Sequence, residues 1–339
     1  KLKQEEVVSL AFSIMNDVQK EKFKKRRELD MAYSAAGLGR FRVNVFQQRG
    51  TVGMVFRAIP MTVLSIPELL LPPTIEKLAL ERRGLILATG TTGCGKSTTL
   101  ASMVDTINQN RTANIITIED PIEYLHRDKK GIVSQREIGY DTESFSGALR
   151  SALRQDPDVI MVGEMRDFET ISTALVAAET GHLVLSTLHT LNALETISRV
   201  ISVFPPYQQK QVRAQLAVVL RGIISQRLVP CADSKGRVPA VELLLTTQTV
   251  REAIIDPEKT RHIHDIISAG ASQYGMQTFD QSLYDLVQRK LVSYEEAIKW
   301  TNSPDDFALK MKGIQSTSES WEETQEKGDG GKDLDVERF

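Results

Sequence analysis

The stretch Gly90-Thr91-Thr92-Gly93-Cys94-Gly95-Lys96-Ser97 constrains this chain more than any other. It fits the spacing Gly-x-x-x-x-Gly-Lys-Ser of a phosphate-binding loop. Its three glycines let a short backbone fold back, so that N–H groups converge on one concavity and can cradle phosphate oxygens. Lys96 brings a positive charge to the β- and γ-phosphates, and Ser97 offers a hydroxyl to Mg²⁺. Thr91, Thr92, Cys94 and Thr98 complete the stretch expected to touch nucleotide. Residues 84–89 form an apolar run that predicts a buried strand, and 97–104 predict a helix whose N-terminus favours anions. A tight glycine turn without a ligand is the alternative for the loop taken alone.

Beyond the loop, strands and helices alternate. A strand at 114–118 ends at Glu119-Asp120-Pro121, one at 159–162 ends at Gly163-Glu164, and one at 182–187 runs out to His189. Helices at 145–154 and 168–178 lie between them. This rhythm predicts an α/β fold with a mainly parallel sheet and helices on both faces. Ligands in such sheets sit at the carboxyl ends of the strands, where the polar residues just named fall. Residues 207–227 predict a helix pair, 238–245 a strand, and 249–312 a helical region.

Before the loop, residues 1–33 carry an apolar helical pattern ending in the basic run 22–27. Such a run can be a nucleic-acid arm or a solvated helix face, and the flanking Glu21 and Glu28 favour the latter. Alternation across 41–59 predicts a β-hairpin turning at Arg49-Gly50. Four prolines between 60 and 73 predict a linker. The expected organisation is a small α/β domain at 1–62, a linker at 63–73, a larger nucleotide-binding α/β domain at 74–312 and a disordered acidic tail at 313–339, which has too few apolar residues to bury a core. The first residue is Lys1, so a fragment lacking its natural N-terminus is expected.

Several residues carry candidate chemistry. Glu164, at a strand tip, is suited to polarise an attacking water, and Asp158 at the head of the same segment is a candidate Mg²⁺ ligand in a Walker-B-like arrangement. Glu119, Asp120 and Glu123 cluster after another strand and could hold Mg²⁺ through water or orient the nucleophile. Their alternative is a helix N-cap at Asp120 with Pro121 in the first turn. His189 could donate to a γ-phosphate oxygen, whereas His182 divides evenly between that and a structural role. The hairpin register sets Arg42 opposite Arg57, a repulsive pair unless an anion lies between them.

Charge and composition remove other classes. The 339 residues carry a net charge of −2, so no global basic field recruits nucleic acid. No apolar run reaches membrane-span length, so no direct membrane insertion is expected. The two cysteines, Cys94 and Cys231, have no zinc-type partners and predict reduced thiols of a cytoplasmic protein.

Four boxes then carry a family resemblance: the loop at 90–98, the acidic box at 116–124, the segment 156–167 around Glu164, and the histidine box at 180–190. Together they resemble the secretion ATPases of type II secretion and type IV pili, and most of all their pilus-retraction branch. The resemblance covers residues 1 to about 312. It implies a RecA-like ATPase core, a PAS-like N-terminal domain whose first strands this sequence lacks, and a homo-hexameric ring. It implies ATP and Mg²⁺ as cofactors, with Lys96, Glu164, His189, Glu119 and Glu123 in the catalytic machinery and Ser97, Glu123 and Asp158 at the metal. Two hairpin arginines at the spacing of Arg42 and Arg57 would reach the phosphates. The place implied is the cytoplasmic side of the inner membrane at the pilus base. The partners implied are an inner-membrane platform protein and a paralogous retraction ATPase. In the segment 249–256 only Arg251 remains of two arginines usual in retraction motors, and the tetracysteine of many extension ATPases is absent. An accessory retraction paralogue, an extension or secretion ATPase, and a nucleic-acid translocase with a RecA-like core are the alternatives.

Overall fold

The computed structural model describes residues 2–233 and 235–313, so the expected tail lies outside the described residues from 314 onward. The chain opens with helices α1 (Gln4–Ile14) and α2 (Asp17–Arg26), then an antiparallel sheet of β1 (Glu28–Ala35), β2 (Gly39–Gln48) and β3 (Thr51–Ile59). Asn16 caps α2 through a reciprocal bond pair with Gln19, and Arg27 ends it in a left-handed conformation at φ 63°. There the helical expectation for 1–33 is corrected. Residues 28–31 alternate exposed and buried, so Leu29 and Met31 enter the small core with Val43, Val45 and Phe23 as a strand does. The hairpin turn falls at Arg49 and Gly50, both at positive φ as a two-residue turn requires.

The larger part is built on a seven-stranded sheet. In chain order its elements are α3 (Thr74–Ala79), β4 (Gly84–Thr89), α4 (Lys96–Asn110), β5 (Asn114–Glu119), β6 (Ile132–Glu137), α5 (Phe145–Ala152), β7 (Val159–Val162), α6 (Phe168–Glu179), β8 (Leu183–Leu188), α7 (Ala193–Ser202), α8 (Pro206–Val219), β9 (Leu220–Pro230) and β10 (Arg237–Leu245). A run of short helices follows from Gln248 to Met311. The strand order is β10-β9-β4-β8-β7-β5-β6, and only the β9–β10 pair is antiparallel.

Successive residues of each central strand enter opposite cores. Leu85, Leu87, Ile116 and Ile160 join α5 to α8 on one face, while Ile86, Ile115, Met161 and Leu185 join α3 and α4 on the other. Burial on both faces explains why these strands read as unbroken apolar runs. The same ambiguity explains a second correction. Residues 220–227 form the first part of β9, not a second helix, because a short buried apolar run fits either element until its neighbours are known. Strand β6 was not foreseen, since its Ser134, Gln135 and Arg136 give an edge strand no apolar signature.

Leu185 sits fully buried in the middle of the sheet. Leu185→Ala is expected to lower stability by about 2–5 kcal/mol through lost burial and a residual cavity. Denaturant unfolding checks this, and an unchanged midpoint would contradict the packing described.

Candidate active site

Parallel pairing brings the ends of β4, β8, β7 and β5 to one edge of the sheet, and the candidate groups gather there. The phosphate loop leaves β4 at Thr89 and enters α4 at Lys96. Its close fold depends on Gly90, which has φ +135°; a Cβ there would stand 2.5 Å from the Gln226 carbonyl oxygen and 2.6 Å from Cys94 Sγ. The Lys96 ammonium is drawn in to the loop, donating to Gly90 O at 2.8 Å and Thr91 O at 3.0 Å. Burial raises the Cys94 thiol pKa despite nearby Lys96, so it stays protonated. Neither cysteine is in a disulfide.

A cleft of about 690 Å³ opens over this loop. Thr92, Gly93, Gly95, Lys96, Ser97 and Thr98 line it from the loop side, and Glu119, Glu123, Glu164, His189 and Arg57 line it from the others. Glu164 follows Gly163, which donates its N–H to Ile118 O on β5, while Thr187 on β8 donates its hydroxyl to Gly163 O. Its Oε1 takes Arg166 Nε at 2.5 Å and His189 Nε2 at 3.0 Å. His189 and Glu164 therefore meet as a pair across the tips of adjacent strands.

Glu119 is the most buried carboxylate here, at 7% exposure. Burial pushes its carboxyl pKa up, while donors from Thr117 Oγ1 at 2.6 Å, Gln135 Nε2 at 3.0 Å and the Glu123 N–H at 3.3 Å work against that shift. No helix begins at Asp120; the segment runs on as loop after a cis Asp120–Pro121 peptide, so the N-cap alternative is set aside.

Two further placements depart from expectation. Asp158 lies at the opposite end of β7 from Glu164, about 20 Å away at the rise of a strand. Its Oδ2 accepts the Asn114 N–H, so it anchors the strand start and is no ligand at the phosphate loop. His182, at the far end of β8, bonds Ala177 O through Nδ1 at 2.9 Å and is likewise outside the cleft. The Arg42 and Arg57 positions are directly paired in the hairpin register. Arg57 lines the phosphate-loop cleft, but Arg42 lines a neighbouring cleft of about 450 Å³ that shares Asp120 and Pro121 with it. Neither arginine makes an ion pair among the described residues.

The structure adds residues that the sequence reading passed over. Tyr124 bonds Thr98 through its hydroxyl at 2.8 Å, and Gln226 donates to Thr99 at 2.9 Å, bracing the first turn of α4 from both sides. Arg166, two residues past Glu164, holds that carboxylate through its Nε. His126 lines the cleft with a buried, unpartnered Nδ1. No residue spacing announces the Tyr124–Thr98 and Gln226–Thr99 contacts, because each joins elements distant in the chain.

The loop, the carboxylates at neighbouring strand tips and the parallel sheet define a P-loop ATPase with a RecA-like core. Residues 66–325 match the family described as Type II/IV secretion system protein. The chain is 46% identical to the type IV pilus retraction ATPase PilT of Pseudomonas aeruginosa over 306 residues, 90% of this chain and 88% of that one. It is 44% identical to the type IV pilus ATPase PilU of the same organism, over 92% of this chain and 81% of the other. The crystal structure of the pilus retraction motor PilT with bound ADP matches with a TM-score of 0.82 at 47% identity, covering 88% of this chain and 84% of that one. The chain belongs to the Type II/IV secretion system protein family.

Two predictions follow from the geometry. Gly90→Ala is expected to abolish nucleotide binding, since the loop cannot close around a Cβ; calorimetry with ADP reads this directly. His126 is held neutral, its pKa pushed down to about 4 chiefly by burial. From about pH 6.5 down to that value, the unfolded chain binds a proton that the folded one refuses. Stability then falls with pH by up to about 1.4 kcal/mol per unit. Glu119 and Glu242, whose pKa values burial raises, act with the opposite sign. The comparison of His126→Gln with the parent isolates the histidine: urea unfolding should show a smaller acid loss in the variant, and equal losses would refute the assignment.

Proposed function

We propose that this chain is an ATP-hydrolysing motor subunit that powers type IV pilus retraction. The observation that carries the chemistry is the meeting of Lys96, Glu164 and His189 at the ends of neighbouring strands in one cleft. The kind of work rests on likeness to PilT along nine-tenths of the chain.

Water attacks the γ-phosphorus, and the bond to the β–γ bridging oxygen breaks. The loop N–H groups and Lys96 hold the phosphate oxygens as negative charge shifts toward the leaving group. The free oxygen of Glu164 orients the water, since Oε1 is already engaged by Arg166 and His189. His189 Nε2 is close enough to that carboxylate to register both its charge and the departure of the γ-phosphate. Arg57 reaches the same cleft from β3, and Arg42 beside it closes on the phosphates if the small sheet swings toward the core. Arginine suits both positions because its planar fork binds phosphate bidentately and keeps its charge.

The donors fit Mg²⁺ in one way. Among the described residues no group of three or more His, Cys, Asp or Glu side chains could hold a metal. Ser97 and Glu123 supply hard oxygen donors, which suits an ion held largely by substrate phosphates and water. When bound there, Mg²⁺ neutralises charge on the β- and γ-phosphate oxygens.

The working form is a homo-hexamer on the cytoplasmic side of the inner membrane. It acts on the platform protein of the pilus machine, with a paralogous retraction ATPase as a further partner. Among the described residues no helix is long and apolar enough to cross a membrane. The likeness to PilU supports an accessory retraction role as the second reading.

Lys96→Ala should weaken ATP binding, whereas Glu164→Gln should keep binding and stop turnover, because Lys96 acts in the ground state and Glu164 on the attacking water. Arg42→Ala and Arg57→Ala should each cut turnover about 10-fold or more with binding retained, on the scale of arginine contacts to a transferring phosphate. Titration calorimetry beside phosphate release separates these outcomes; normal turnover in Glu164→Gln would remove it from the mechanism. Deleting the gene should leave piliated cells whose pili do not retract, and bald cells would instead indicate an extension motor.

A further inference from the structure

Between β5 and β6 the chain runs from Asp120 to Gly131 without helix or strand. A backbone of that kind needs side chains to satisfy its polar groups. Besides Glu119, which accepts the Glu123 N–H, three residues serve it. Asn108 on α4, fully buried, donates to Arg127 O and accepts from the Lys129 and Gly131 N–H groups. Glu137 on β6 accepts the Ile122 N–H at 3.4 Å. Gln135, two residues earlier on the same strand, takes the middle of the loop. Its Nε2 donates to Glu119 Oε1 at 3.0 Å and to Tyr124 O at 2.9 Å, and its Oε1 accepts the His126 N–H at 2.9 Å.

This amide can point only one way. Turned over, it would set its oxygen against a carboxylate and a carbonyl, and its N–H groups against an N–H. Of the three supports, Gln135 alone reaches a carboxylate of the proposed site. It does not itself line the cleft. Its partners do: Glu119, Tyr124 and His126 all face the phosphate loop, and Tyr124 is tied to Thr98 on the first turn of α4. One side chain therefore sets both the carboxylate of Glu119 and the backbone that carries Glu123.

We infer that Gln135 is a positioning residue of this site, holding Glu119 and the Glu123–His126 backbone against the phosphate loop, so that turnover depends on a side chain that touches no nucleotide. The inference rests on the ATPase reading above. Its physical basis is that Glu119 is buried and takes three donors among the described residues; removing one loosens the hold on the carboxylate, and Tyr124 O and the His126 N–H lose their side-chain partner. Small displacements of this kind act on the rate rather than on binding.

The test is a double-mutant cycle. Gln135→Leu and Gln135→Glu are made in the parent full chain and in Glu119→Gln. The readouts are kcat and KM for ATP, and Kd for a fluorescent ADP analogue at equilibrium. Gln135→Leu in the parent should lower kcat about 10-fold or more while Kd stays within about twofold, as expected for misplacement without lost contact. In the Glu119→Gln background the same substitution should cost at least about threefold less than in the parent, leaving only the share carried through the Glu123–His126 backbone, since residues acting through one another are not additive. Equal fold losses in both backgrounds, parent-like kcat in Gln135→Leu, or a Kd weakened in step with kcat would each overturn the role. Should Gln135→Leu fail to fold, Gln135→Glu carries the test, because it keeps the length and the acceptor for the His126 N–H but removes both donors; the same kcat loss at unchanged Kd is expected. A parent chain that releases no phosphate would overturn the ATPase reading and this role with it. Parent-like Gln135 variants beside an inactive Glu164→Gln would overturn the positioning role alone.

Discussion

Parallel pairing of β4, β8, β7 and β5 forces their carboxyl ends onto one edge of the sheet, and the active site follows from that constraint. The phosphate loop hangs from β4, His189 from β8, Glu164 from β7 and Glu119 from β5. Strand β8 lies between β4 and β7, which is why a histidine at its tip meets the glutamate next to it. Both faces of the sheet are covered, each central strand sending alternate side chains into two separate cores. A helix layer on one side alone would leave the central strands half wet and their tips free to shift.

Charge at that edge is balanced by local bonds more than by bulk solvent. Lys96 is nearly buried yet holds two loop carbonyls. Glu119 is nearly buried yet accepts three donors. Glu164 is shared between Arg166 and His189 on one oxygen. Each arrangement is costly to build from isolated groups and is tolerable because partners stand ready.

The small N-terminal sheet meets this edge through a separate contact. Arg40 on β2 pairs with the buried Glu137 of β6 at 3.1 Å, and Tyr140, in the turn after β6, bonds Gln19 at the start of α2. Glu137 also holds the Ile122 N–H, so the same carboxylate touches both the small sheet and the loop that carries Glu123. Arg42 and Arg57 project from the sheet face that carries Arg40. A short chain of polar contacts thus runs from the small sheet to the loop beside the cleft.

Much of this was legible in order along the chain. The phosphate loop, the strands that end at Glu119, Glu164 and His189, and the Arg42–Arg57 register all follow from local spacing, because backbone geometry and burial act over a few residues at a time. What local spacing could not resolve were runs compatible with two elements. Residues 28–33 and 220–227 became strands because β2, and then β4 and β10, were there to pair with them. Asp158 looked like a metal ligand because sequence measures distance along the chain, while a strand carries its two ends to opposite edges of the sheet. The separation of Arg42 from Arg57 into neighbouring clefts, and the grip of Gln135 on Glu119, arise where segments far apart in sequence come into contact. The amino-acid sequence by itself determined which groups are chemically suited to a phosphate site; only the tertiary structure decided which of them line the cleft and what holds them there, since orientation depends on neighbours that no local pattern encodes.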